Sequence, residues 1–171
     1  FMGVIAVAYT AMGGLKAVIY TDVVQWIILL AGLILIGIPM GYHAIGGMEA
    51  IRATLPEEFL KLNNIGWPII LNWAVTIIPI WFVGMTLYQR IYATRTPKEA
   101  QKAWYIAGAF EWPIMAFMGV ILGLFARVAF ENGMFAYMGF APGEMMDAEM
   151  GLPLLLRTIL PVGLMGLMMA A

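Results

Sequence analysis

The 171-residue chain is 63% hydrophobic and 11% charged, with a formal net charge of −1 and a mean hydropathy of +0.90. Soluble domains are about half apolar and a quarter charged, so this composition excludes an ordinary soluble domain. The balanced charge does not favour a nucleic-acid partner, and the lack of cysteine excludes disulfides and thiolate metal sites.

Apolar segments long enough to cross a bilayer recur along the chain. A helix rises about 1.5 Å per residue and the hydrocarbon core is about 30 Å thick, so a span needs roughly 20 apolar residues. We predict helices at 19–41, 66–89 and 97–127, with partial helices at 1–12 and 153–171. The partial helices are apolar but lack closing loops, and both ends are interpreted as cuts through helices. The sequence therefore predicts an all-α polytopic protein with a single transmembrane domain, integral to the inner or plasma membrane.

Turn signals separate the predicted helices. Gly13 and Gly14 predict a tight turn after the first partial helix. Thr96, Pro97 and Glu99 have the spacing of a helix start: a capping threonine, proline at the first helical position, and glutamate three residues after the cap.

The basic residues predict the orientation in the membrane. The connection 89–102 carries one acid, Glu99, whereas the connection 129–152 carries four acids and no lysine or arginine. The basic residues of 89–102 are Arg90, Arg95, Lys98 and Lys102. Because cytoplasmic loops are enriched in lysine and arginine, 89–102 is predicted to be cytoplasmic and 129–152 external.

Asp22 lies near the start of the second predicted helix and has two interpretations. A carboxylate at membrane depth usually faces a cavity or a partner, and its oxygens suit a hard cation. Alternatively, Asp22 and Gln25 have capping-box spacing, so Asp22 could begin the helix.

Glu111 is predicted to lie near mid-bilayer, about 13 Å from the helix entrance near Lys102. Pro113 follows closely and leaves a backbone carbonyl one turn earlier without its usual helical partner. One interpretation is a substrate or proton site. The other is a protonated or hydrogen-bonded glutamate that fixes helix packing.

Pro79 and Gly84 fall inside the predicted helix 66–89. Discontinuous helices expose backbone groups that bind ions and substrates in many transporters, although both residues are common in membrane helices. No nucleophile–base pair, metal-ligand spacing or phosphate loop occurs. We therefore predict no enzyme activity, catalytic residue, metal or cofactor.

Three motifs occur in order along the chain: Tyr9-Thr10 with Gly13-Gly14, Ala17-Val18 and Thr21-Asp22; Gln89-Arg90 with Glu99-Ala100-Gln101-Lys102; and Leu160-Pro161 with Gly163-Leu164 and Gly166-Leu167. Together they resemble the sodium/solute symporter family, which includes sodium/proline, sodium/galactose, sodium/glucose and pantothenate transporters. The resemblance extends over nearly the whole chain. It implies a piece of an inverted five-plus-five helix fold that carries out sodium-coupled symport of a small organic solute by alternating access.

The resemblance also implies site residues. Asp22, with Gln25 beside it, corresponds to an acidic residue on the family's sodium pathway, while the main sodium site lies outside these residues. Gly84 and Glu111 occupy positions where sugar transporters have an asparagine and a lysine that contact sugar. These differences argue against a sugar and favour a cationic or amine-bearing solute, in a substrate site that includes Trp81, Gly84, Thr86 and Glu111. Some similar proteins are fused to histidine kinases, so the alternative is a membrane sensor domain of a signalling kinase.

Overall fold

The helices of the computed structural model follow the apolar segments, but irregular turns divide several of them. The structure describes residues 2–61 and 63–170, and at residues 2, 5, 6, 9, 15, 86, 112 and 113 it describes the backbone alone. All regular structure in these ranges is helical, which confirms the all-α class. The α-helices are α1 (Met2–Ala31), α2 (Ile38–Ala44), α3 (Gly47–Thr54), α4 (Trp67–Val83), α5 (Met85–Tyr92), α6 (Pro97–Phe110), α7 (Ala116–Glu131), α8 (Gly151–Ile159) and α9 (Val162–Ala170).

Two of the irregular turns are π-helical, with wider backbone loops than an α-helix. The turn at Gly32–Gly37 joins α1 to α2, and the turn at Glu111–Met115 joins α6 to α7. Short 3₁₀ turns occur in the longer connections, at Glu57–Leu60, Ala136–Met138 and Ala148–Met150.

The predicted turn at Gly13 and Gly14 is a kink at one residue. Gly14 has φ 59° and ψ −161°, and α1 is helical on both sides of it. Positive φ is easily adopted by glycine because it has no Cβ. The segments predicted at 1–12 and 19–41 are thus joined through this kink, and the helical path continues to Ala44. Phe1 lies outside the described residues.

The other predicted helices are each divided. The segment 66–89 is two helices, α4 and α5, separated at Gly84, and α5 continues to Tyr92. The segment 97–127 is interrupted by the second π turn and ends later, at Glu131. The segment 153–171 is α8 and α9, separated by the extended residue Leu160 before Pro161, a position where proline disfavours helix. Ala171 lies outside the described residues.

The helix start at Thr96 is confirmed. The Thr96 Oγ1 accepts a hydrogen bond from the Glu99 backbone N–H at 3.3 Å. The Glu99 carboxylate in turn accepts a hydrogen bond from the Arg95 backbone N–H at 3.2 Å, one residue before the cap. These two bonds fix the direction in which the chain enters α6.

By length and hydropathy, one helical segment within the described residues is long enough to span a bilayer: Lys16–Ala44, with a mean hydropathy of 2.4. Trp67–Val83 is apolar but shorter. Three full spans were predicted from the sequence. The predicted span 66–89 is interrupted at Gly84 after a helix of 17 residues. The predicted span 97–127 is divided by the π turn at Glu111–Met115 into helices of 14 and 16 residues.

The chain divides into two units, Phe1–Thr54 with Met118–Ala171, and Leu55–Phe117. The first unit has an apolar core in which Leu122 and Val128 of α7, Leu155 of α8 and Phe135 of the preceding loop are almost completely buried. The loop between α7 and α8 is therefore part of the packed core. A hydrogen-bond contact between the hydroxyls of Tyr137 and Thr158, 3.3 Å apart, links this loop to α8.

The second unit contains α4, α5, α6 and the second π turn. Most of its large apolar side chains are exposed, and Ala100 of α6 is buried. In a membrane protein, such exposed apolar side chains suit lipid or other apolar helices. The helical break at Gly84 and the π turn after α6 lie in this unit, and both bear on the candidate site.

Candidate functional site

The break between α4 and α5 is an extended residue within an otherwise helical path. Gly84 has φ −62° and ψ 106°, so its peptide turns away from the helical direction. Its own carbonyl accepts hydrogen bonds from the Leu87 and Tyr88 backbone N–H groups at 3.1 and 3.4 Å and thereby begins α5. Pro79 was also considered as an interruption, but it lies inside continuous α4. The discontinuity is thus located at the glycine.

A tyrosine side chain bridges the break. The Tyr88 hydroxyl donates a hydrogen bond of 2.7 Å to the Phe82 carbonyl, which is one of the last carbonyls of α4. The last four carbonyls of a helix have no partner within it, so side chains or water must satisfy them. Tyr88 therefore links the end of α4 to α5 and stabilises the broken conformation.

The half-helices and α6 line an open cavity of about 210 Å³, and most of its lining side chains are exposed. Trp81 of α4 lines it together with Glu111, so the structure brings these two predicted site residues together. Arg90 of α5 and Trp104 of α6 also line it. The cavity thus combines a carboxylate, a guanidinium group and two indole rings. It is smaller than the 300–1,000 Å³ typical of pockets for drug-sized ligands, so it suits a small solute.

Glu111 begins the second π turn, two residues before Pro113. Proline has no backbone N–H and its ring crowds the carbonyl four residues earlier, and a π turn is one way for the helix to accommodate this. The Glu111 N–H is still within reach of the Ala107 and Gly108 carbonyls. Such π turns are common at functional sites, because they change the direction of side chains and release backbone groups.

Arg90 and Trp104 were not predicted as site residues. Arg90 was used for orientation and as part of the Gln89-Arg90 motif. One signal could have identified Trp104, since Trp104, Ala107 and Glu111 have the spacing i, i+3, i+7 that places residues on one helical face. All three line the cavity.

The other predicted substrate residues have different outcomes. Gly84 does not line this cavity, and its role in the structure is to interrupt the helix. The side chain of Thr86 lies outside the described part of the structure. The substrate role of all four residues remains a prediction.

Asp22 and Gln25 lie inside α1, on the long helical stretch after the Gly14 kink. The interpretation that Asp22 begins a helix is therefore wrong, because two turns of helix precede it. Both side chains are half-buried, and their spacing of three places them on the same face. The neighbouring Thr21 hydroxyl donates a hydrogen bond to the Val18 carbonyl at 2.8 Å, as is common for threonine within helices.

Within residues 2–61 and 63–170, no three histidine or acidic side chains cluster as transition-metal ligands do. For sodium, a hard cation that prefers oxygen, the Asp22 carboxylate and the Gln25 amide oxygen are the ligands that we consider. They belong to the first unit, whereas the cavity beside Glu111 belongs to the second.

Comparison with known proteins adds relatives along the full length of the chain. It is 27% identical to the sodium/sialic acid symporter SiaT of Proteus mirabilis, over 99% of the chain and 35% of that protein. It is 28% identical to the sodium/myo-inositol cotransporter 2 of Sus scrofa, over 99% of the chain and 29% of that protein. The human sodium/iodide cotransporter is 29% identical over 59% of the chain and 17% of that protein.

The chain spans about a third of the length of the first two relatives. No solved structure matches it significantly. The model of the Sodium:solute symporter family matches residues 1–171. From this match over its whole length, the chain belongs to the Sodium:solute symporter family.

Proposed function

We propose that the chain forms part of a multi-pass membrane transporter that couples sodium entry to the uptake of a small organic solute by alternating access. The observation that supports this most directly is the discontinuous helix at Gly84, with the cavity of Trp81 and Glu111 beside it. In membrane transporters, irregular backbone is tolerated where it lines a cavity, and broken helices supply binding groups there. Membership of the symporter family supports the same conclusion.

The cavity favours a solute that carries an amine or another cationic group. The Glu111 carboxylate would accept a charge-assisted hydrogen bond from such a group, and the faces of Trp81 and Trp104 attract cations. Arg90 lines the same cavity, so a solute there would also face a guanidinium group. The relatives are named for sialic acid, myo-inositol and iodide, so solute chemistry differs among proteins similar to this chain.

Sodium supplies the driving force in this proposal, and Asp22 with Gln25 lies on its path. One sodium ion moving down a potential of about 100 mV releases about 2.3 kcal/mol. A tenfold sodium gradient adds about 1.4 kcal/mol. Together these support roughly 500-fold accumulation of the solute for each sodium ion. Coupling requires that sodium and solute each raise the affinity for the other.

The test is uptake by the full-length protein in proteoliposomes with an imposed sodium gradient, with potassium and proton gradients as alternatives. The solute panel contains amines, zwitterionic amino acids, carboxylates, polyols and sugars. We expect saturable, sodium-dependent uptake of an amine-bearing solute. Uptake that neither saturates nor depends on sodium would contradict the proposal.

Glu111→Gln tests the site itself, and Glu58→Gln is its matched control, because Glu58 is an exposed carboxylate in the connection before α4. We expect Glu111→Gln to abolish uptake while expression and elution as a single species persist. Normal uptake by Glu111→Gln, or equal loss in both variants, would exclude Glu111 as a substrate residue.

The proposed orientation places 89–102 in the cytoplasm and 129–152 outside. This orientation is tested with single cysteines introduced into a cysteine-free background. Lys98→Cys lies in the connection 89–102 and Met145→Cys in the connection 129–152, and both side chains are exposed. A membrane-impermeant maleimide added to intact cells should label Met145→Cys and spare Lys98→Cys. The reverse pattern would overturn the orientation.

A further inference from the structure

A second cavity, of about 560 Å³, lies where α5 ends and α6 begins. Arg95 and the hydroxyl residues Thr94 and Thr96 line it. The rest of its lining is mostly apolar and includes Trp104 and Tyr105 of α6, whose rings are both exposed. The cavity therefore has a polar, basic end and an aromatic end, along a helix whose first residue is Pro97.

The basic end has a surplus of positive charge. Its one acidic residue, Glu99, uses its carboxylate as an acceptor for the Arg95 backbone N–H. Lys98 and Lys102 are exposed, one turn apart on α6, and within the described residues neither forms an ion pair. Arg95 is exposed as well. Arg95 thus brings a positive charge to the cavity lining, and Lys98 and Lys102 add positive charge on α6 outside that lining.

The distance between the two ends is slightly greater than the depth of a lipid headgroup region. Seven residues separate Pro97 from Trp104, which is about 10 Å along a helix. Headgroups occupy about 5–8 Å on each side of the hydrocarbon core, and tryptophan and tyrosine favour the boundary between them. If α6 enters the membrane from 89–102, Arg95 and Lys98 lie at phosphate level while Trp104 and Tyr105 lie at the level of the acyl chains.

We propose that this cavity binds an anionic phospholipid of the cytoplasmic leaflet, with its phosphate on Arg95 and its glycerol and upper acyl chains against Trp104 and Tyr105. Charge complementarity selects an anionic lipid over a neutral one. The apolar wall selects a lipid over free phosphate, which would leave that wall in water. The inference rests on the membrane placement in the proposed function, but it does not require transport.

Each basic residue near an anionic leaflet raises the preference for anionic over neutral lipid roughly fivefold, or by about 1 kcal/mol. The test is native mass spectrometry of the full-length protein, extracted from nanodiscs that contain phosphatidylcholine with or without phosphatidylglycerol. We expect retained phosphatidylglycerol, and at least a fivefold lower retention in Arg95→Gln. This substitution keeps the backbone N–H of residue 95, from which the Glu99 carboxylate accepts a hydrogen bond. Arg52→Gln, at an exposed arginine of α3, is the matched control and should retain the lipid.

Arg95→Lys should recover part of the retention, because it keeps the charge and loses the planar fork of donors. Equal retention in Arg95→Gln and the control would overturn the proposal, as would equal binding of phosphatidylcholine. Displacement of the lipid by inorganic phosphate alone would show that the site binds a free anion instead. Because lipid retention is measured without uptake, its failure is distinguishable from failure of sodium-coupled transport.

Discussion

The break at Gly84 gives the sharpest prediction, because one methyl group tests whether the broken conformation is needed. A Cβ built on Gly84 would lie 3.2 Å from the Ile80 carbonyl oxygen and 3.4 Å from Leu87 Cδ1. A backbone oxygen cannot move aside as the end of a flexible side chain can. Gly84→Ala should therefore strain the broken conformation, although the φ of −62° is open to any residue.

The same substitution favours the continuous helix. Alanine is about 1 kcal/mol more favourable than glycine in a helix interior. This difference alone shifts the equilibrium between the broken and the continuous helix about fivefold toward the continuous helix. Crowding at Ile80 adds to the shift. If solute binds only when the helix is broken, apparent affinity falls in proportion to the population of that state. We expect uptake efficiency to fall at unchanged expression, by up to about fivefold from the propensity difference alone and further where crowding at Ile80 also disfavours the broken state.

Gly108→Ala is the matched control, since Gly108 lies inside α6 and a Cβ there meets nothing within 4 Å. The assay is the concentration dependence of sodium-driven uptake for Gly84→Ala, Gly108→Ala and the parent protein, with expression measured in parallel. Unchanged uptake in Gly84→Ala would refute a functional role for the break. An equal fall in both variants would show that added helix propensity, rather than the break, is responsible.

Three further substitutions test neighbouring parts of the argument. Tyr88→Phe removes the hydrogen bond to the Phe82 carbonyl, so we expect about 1 kcal/mol lower stability by thermal unfolding in detergent, and an unchanged midpoint would show that the bridge is dispensable. Asp22→Asn should raise the sodium concentration for half-maximal uptake about tenfold, a loss of about 1.4 kcal/mol, and an unchanged sodium dependence would remove Asp22 from the cation pathway. Gly41→Ala would place a Cβ 3.0 Å from Phe125 Cδ2, so we expect overpacking by about 1–3 kcal/mol and a lower unfolding midpoint, whereas a stable variant would show that this core adjusts freely.

Local sequence patterns predicted the features that depend on nearby residues. The capping arrangement at Thr96 and Glu99 is set within four residues and is confirmed. The kink at Gly14 falls where paired glycines indicated a turn, although the chain continues directly into helix. The same logic failed at Asp22, where capping-box spacing coincides with the middle of a helix. Spacing alone does not show whether the backbone before a residue is already helical.

Features that depend on tertiary packing were missed. The sequence marked 129–152 as a connection with four acids, yet Phe135 within it is completely buried. Phe135 lies among other apolar side chains, such as Met134 and Met138, in a segment of turns, so no helical or strand period marks it as core. Arg90 was interpreted as an orientation signal, and only the approach of α5 to α6 shows that it lines the cavity of Glu111. The cavity could thus be predicted in part, through Trp81 and Glu111, while its role as a substrate site stays a prediction.

The two irregular turns of the second unit are the strongest structural link between this sequence and transport. A regular helix satisfies its own backbone and presents only side chains to a solute, so a polar site in a membrane comes from polar or charged side chains or from interrupted helices. Here both occur together, since Trp81 lies three residues before the break at Gly84 and Glu111 begins the π turn, and both line one cavity. Glycine and proline contribute to these two irregularities by different means: Gly84 lacks a Cβ that would crowd the Ile80 carbonyl, and Pro113 lacks a backbone donor. Restoring regular helix at either turn should therefore weaken solute binding even where no side chain of the cavity is changed.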